Sequence, residues 1–167
     1  LMSLLSLFFA HTCPWQAHSL WFARGAVDNE AVLAPRQWWR LFTGMTLHAD
    51  LAHLAGNGLI GGLVIHLLSR TLGYGTAWLL LLLAGAAGNL LNLVLRESAH
   101  LSVGLSTAVL AAVGLLTGLQ RVHSRTRSLR TLLLPLGAGA GLLVLLGSGD
   151  ARTDVGAHFF GFVTGLG

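Results

Sequence analysis

Apolar runs alternate with polar breaks from one end of the chain to the other, at residues 1–10, Leu51–Leu68, Thr76–Leu95, Val103–Leu119, Thr131–Gly147 and Val155–Gly167. The middle four are each roughly 17 to 20 residues, which at about 1.5 Å per residue crosses a bilayer core. The first and last fall short of a crossing. The pattern predicts an all-α polytopic membrane protein, a six-helix bundle with its first and last helices truncated, built as one domain over residues 1–167. No basic stretch precedes the first run and no convincing small-residue cleavage site follows it, so it does not read as a signal peptide.

The first break, from about residue 11 to 46, differs from the others. It holds Trp15, Trp21, Trp38 and Trp39 together with Arg24, Arg36 and Arg40. Tryptophan favours the headgroup level, so this segment is expected to lie in the interface and to carry some structure of its own. Arg121, Arg125, Arg127 and Arg130 crowd the fourth break and Arg70 lies in the second, which places those two loops on the cytoplasmic side. The long first loop, the Arg96–Ser102 loop and the Ser148–Thr153 loop then face outward. Glycine pairs at helical spacing (Gly58 and Gly62, Gly114 and Gly118, Gly161 and Gly165) predict notches where helices pack closely. The Gly137–Gly141 stretch reads as packing or local flexibility, since no lysine accompanies it as in a phosphate loop.

Composition narrows the chemistry. Charged residues are 10% of the chain and hydrophobic ones 54%, with mean hydropathy +0.72, against about 25% charged in soluble domains. All ten basic residues are arginine. Without lysine, an amine nucleophile, a lysine base and a phosphate-loop lysine are excluded. The six acidic residues fall in or beside the polar breaks, which argues against a carboxylate relay or aspartyl dyad within the membrane. Cys13 is alone, with no partner for a disulfide or a metal site. The net charge of +4 reads as a topology signal, not a nucleic-acid footprint.

Polar residues inside or at the ends of spans then need explaining: His48, His53, Asn57, Asn89, Asn92, Ser106, Thr107 and His158. With the topology above, His53 and Asn57 lie in the first turns of the second span, and Ser106 and His158 lie about one turn into the fourth and sixth. All are entered from the outer side and share a level roughly 5 to 10 Å below the helix ends. A serine hydroxyl becomes a useful nucleophile when a neighbouring base takes its proton, and histidine is the only plausible base in this chain. A serine in a membrane helix can instead bond its own i−4 carbonyl. His48 and His53 are five apart and no glutamate follows them, unlike the zinc-protease helix, so no metal site is expected. His11, His18, His66, His100 and His123 read as interfacial residues.

These residues resemble a known family. Trp39-Arg40, followed by His48 to Asn57 in a His-x4-His-x3-Asn pattern, resembles the first-loop and second-helix motifs of the rhomboid intramembrane serine proteases. Gly104-Leu-Ser106-Thr107 is similar to their Gly-x-Ser-Gly nucleophile motif, and Ala157-His158-Phe-Phe-Gly161 through Gly165 to their sixth-helix motif. The four motifs occur in the family's order over roughly Trp38 to Gly167. The resemblance implies Ser106 as nucleophile and His158 as general base in a dyad without a third carboxylate. It implies His53 and Asn57 in the oxyanion hole with the Ser106 N–H, His48 holding the region above, and Arg40 anchoring the first loop to lipid or to its own backbone. It further implies a bacterial inner-membrane protein that cleaves single-span substrates in the lipid bilayer with its site towards the outer face, without cofactor, metal or nucleic acid. Thr107 stands where the family usually has glycine, and Leu110 where many members carry an aromatic residue. Asp154, four residues before His158, reads as an N-cap more than as an orienting acid. The competing functions are a proteolytically inactive rhomboid-like protein that binds membrane clients, and a small transporter, which the absence of midplane charge disfavours.

Overall fold

The computed structural model describes residues 2–12, 19–96, 101–123 and 154–166, together with Gly137 and Gly141, both helical. Helix α1 (Met2–Thr12) precedes an interfacial segment containing α2 (Leu20–Gly25), α3 (Asn29–Leu33), α4 (Arg40–Thr43) and a 3-10 turn, Gly44–Thr46. The long helices α5 (Leu51–Leu72) and α6 (Tyr74–Leu95) follow, then α7 (Ser106–His123) and α8 (Val155–Gly165). The fifth apolar run lies outside the described residues, apart from its two helical glycines.

Both α5 and α6 are long and apolar enough to cross a membrane. Leu59, Leu63, Leu79 and Leu83 on them are more than half exposed, which in water would be a liability and here defines a lipid-facing surface. Their inner faces and that of α7 enclose a core of Leu54, Ile65, Leu68, Leu81, Val109 and Leu110, to which α1 adds Leu5. Helix α8 lies against both α6 and α7.

Three expectations change. The second polar break shrinks to Gly73: α5 runs on through Arg70, and α6 begins at Tyr74. Gly73 sits at φ +79°, a conformation that glycine enters without a Cβ penalty. The Gly58/Gly62 notch is not one, because a Cβ on Gly62 would meet nothing within 4 Å, whereas one on Gly61 would strike Val109. Ser106 is the first residue of its helix, not one turn in, because Gly104 at φ +123° breaks the chain just before it.

The first loop carries local structure, as its tryptophan content requires. Asp28 caps α3 by accepting from Ala31 N, and Val27–Asp28 (β1) pairs antiparallel with Leu101–Ser102 (β2), joining Val27 to Ser102. Among the described residues this small ladder is the one β element, which the all-α expectation lacks.

Candidate active site

The site is built from the loop inward. Arg40 is buried, and its guanidinium donates to the carbonyls of Ala26 (3.0 Å) and Ala23 (2.9 Å) and to Gln37 Oε1 (2.6 Å). It therefore binds the loop's own backbone. The adjacent Trp39 is half exposed. Asn89 of α6 donates to the Leu41 carbonyl at 2.9 Å, fixing this loop to the bundle. The Gly44 carbonyl accepts from Gly104 N at 2.9 Å, so the loop also holds the turn before Ser106.

Around that turn the predicted residues converge. Asp50 caps α5 through His53 N at 2.8 Å. His53 Nδ1 accepts from Ala49 N at 3.4 Å, which leaves the ring proton on Nε2, and it is Nε2 that faces Gly104. A Cβ built on Gly104 would lie 2.5 Å from that nitrogen and 3.5 Å from Asn57 Nδ2. The Asn57 amide is fully buried, with neither its nitrogen nor its oxygen hydrogen-bonded among the described residues. Such an amide costs about 1 to 3 kcal/mol. His48 packs edge-on against His53, ring centroids 5.3 Å apart. Burial foremost, and the nearby His53 second, drive His48 from its usual 6.5 down to about 4, against smaller opposing effects of the Thr46 backbone and Asp50. It is a neutral support for the His53 ring.

Ser106 and His158 are both buried, and the Ser106 hydroxyl stands 2.5 Å from His158 Nε2. With the hydroxyl donating, the imidazole proton lies on Nδ1. As the first residue of α7, Ser106 offers a backbone N–H with no carbonyl inside the helix to meet it, at the positive end of the helix dipole. Glycines hold the two helices together: a Cβ on Gly161 would collide with the Thr107 carbonyl, and one on Gly165 with the Ala111 carbonyl. The Thr107 methyl lies in the gap left by Gly88 and Gly161. Leu110 is buried in the core.

Ser106, His158, His53, Asn57, His48 and Gly104 thus come together, while Trp39 and Arg40 stay in the loop that supports them. Sequence reasoning named Asn89 and Asn92 without a role and passed over Gly44, Gly88 and Gly156. Their signal was weak: a polar residue in a span, or a small one, says that something packs there but not what. Among the described residues no group of three histidine, cysteine or acidic side chains is placed to hold a metal.

Helices with lipid-facing leucines, enclosing a buried serine–imidazole pair, define a helical integral membrane protein. The sequence matches the family model of the Rhomboid domain over residues 35–167, and the chain belongs to the rhomboid family. It is 32% identical over 150 residues to Rhomboid protease GluP of Bacillus subtilis (strain 168), covering 86% of this chain and 28% of that protein. It is 33% identical over 148 residues to RHOMBOID-like protein 2 of Arabidopsis thaliana, covering 85% and 44%. Against RHOMBOID-like protein 1 of the same plant it is 30% identical over 147 residues, covering 85% and 36%. The chain therefore spans less than half the length of these relatives.

Proposed function

We propose that this chain is the catalytic bundle of an intramembrane serine endopeptidase that cuts the transmembrane segments of single-span membrane proteins. The observation that carries the reading is the 2.5 Å contact between Ser106 Oγ and His158 Nε2, two buried side chains on separate helices. Ser106 attacks the scissile carbonyl carbon while His158 Nε2 takes the hydroxyl proton. The oxygen that gains negative charge meets the Ser106 N–H, His53 Nε2–H and Asn57 Nδ2–H, and each such donor in a dry site is worth about 3 kcal/mol. Collapse expels the amine, which takes its proton from His158. Water then attacks the acyl-enzyme with His158 again as base, releasing the acid and restoring Ser106.

A substrate helix has its carbonyls bonded internally, so it must unwind locally, and small or helix-breaking residues near the cut are favoured. Residues 1–167 act as one rhomboid-like transmembrane domain, in a bacterial inner membrane with the site towards the outer face. The second reading, a client-binding protein without activity, draws on Thr107 in the family's usual glycine position.

One experiment separates them. The full-length protein in liposomes is given a fluorescent single-span substrate beside Ser106→Ala, and both are treated with a fluorophosphonate probe. Cleavage and labelling by the parent, both lost in the variant, are expected. Cleavage that persists in Ser106→Ala would sink the serine mechanism, and a parent that binds the substrate without cutting it would favour the client binder.

A further inference from the structure

Helix α8 carries His158, yet the glycine contacts at Gly161 and Gly165 set only how closely α8 approaches α7. Contacts between glycines and backbone carbonyls set a distance but fix the helix only weakly along its own axis. Directional bonds must fix that height, and besides the Ser106–His158 pair itself they run to α6 and the residue after it. Below His158, the Thr164 hydroxyl has the Ala84 carbonyl of α6 at 2.8 Å, with the Phe160 and Gly161 carbonyls of its own helix at 2.9 Å as alternative acceptors. Above it, the Asp154 carboxylate accepts from Asn92 Nδ2 at 2.7 Å and pairs with Arg96 Nη1 at 3.2 Å. Asn92 lies in the last turn of α6 and Arg96 is the first residue past its end, and both reach the one carboxylate.

The same carboxylate caps α8 through Ala157 N at 3.1 Å, and the Asp154 carbonyl accepts from His158 N at 3.1 Å. His158 therefore hangs from Asp154 by the first turn of the helix, about 6 Å below it. Gly156 completes the fit, since a Cβ there would collide with Asn92 Oδ1. The end of α6 is itself tied to the first loop, through Asn29 Nδ2 to the Leu93 carbonyl at 3.4 Å.

We propose that Asp154, gripped by Asn92 and Arg96, is the positioning residue that sets the height of His158 against Ser106. This rests on the reading of those two residues as base and nucleophile. Asp154 makes no hydrogen bond to Ser106 and bears on the pair from the first turn of α8, through the register of that helix. A displacement of 1 Å in such a pair costs about 100-fold, so loss of the latch is read mainly in turnover.

The test uses the full-length protein in liposomes, with kcat, KM, fluorophosphonate labelling rate and thermal melting measured on Asp154→Ala, Asn92→Ala and Asp154→Asn. The alanine variants are expected to lose about 10 to 100-fold in kcat and in labelling rate, with KM within about twofold, at temperatures where melting shows them folded. Asp154→Asn keeps the cap acceptor and recovers most of the loss. Alanine variants that retain kcat within about twofold, or lose it only in proportion to the folded fraction, would overturn the latch, as would an asparagine variant no better than alanine. A parent that neither cleaves nor labels counts against the dyad alone. The latch is then decided by the ring-nitrogen NMR signals of His158, which Asp154→Ala should displace and which, if unmoved, overturn it.

Discussion

Gly104 lies directly against His53: with φ at +123°, it turns the side where a Cβ would stand onto the imidazole Nε2. The backbone turn that presents Ser106 and the ring proposed to face the developing oxyanion thus share one contact. Gly104→Ala meets two penalties, a left-handed backbone that costs of order 1–3 kcal/mol and a collision with His53. The expected result is at least a tenfold fall in kcat with a lower melting temperature. Unchanged turnover would mean that His53 does not act from this position.

Thr107 tests how much room the site has. Its methyl fills space left by Gly88 and Gly161. Thr107→Gly should cost about 1–2 kcal/mol from the lost methyl and the added helix entropy, seen by denaturation in micelles, with cleavage kept within a few-fold. A large rise in cleavage would show that the threonine obstructs the reaction.

Arg40 bears on the loop. Its guanidinium satisfies two carbonyls and a glutamine at once, and hydrogen bonds to charged groups are worth about 1.5–3 kcal/mol each. Arg40→Ala is expected to destabilise by about 3 kcal/mol. Arg40→Lys should recover little, because a point charge cannot span the three acceptors. Full rescue by lysine, measured by thermal melting, would reduce the role to charge.

His48 gives the fold an acid sensitivity. Its value near 4 in the folded chain lies below the 6.5 of an ordinary histidine, so between those values the unfolded chain binds the extra proton. Stability is therefore full above about pH 6.5 and falls as pH drops towards 4. The melting temperature of the parent should fall further between about pH 7.5 and pH 5 than that of His48→Gln. Equal falls would assign the sensitivity elsewhere.

The helices α5, α6 and α7 were legible because hydrocarbon demands long apolar runs, and the candidate site because histidine, asparagine and serine in such runs stand out. The short break at Gly73 was hidden: Arg70 in a run looks like a loop, yet a cation at a helix C-terminus is favourable and its long stem lets the helix continue past it. Gly62 and Gly61 are indistinguishable by spacing, and only the neighbour Val109 decides between them. Asn92 was visible as an oddity, but its partner Asp154 lies in another span's cap, a pairing that no local pattern encodes.

The two-residue ladder between β1 and β2 joins positions 27 and 102, with α5 and α6 between them. Closing a loop of that length carries an entropy that a few backbone hydrogen bonds cannot offset by themselves. The ladder can persist only after the two long helices have brought its ends together, which makes it a late event in assembly. The turn before Ser106, held to the same loop through the Gly44 carbonyl, is then set only after those helices are in place.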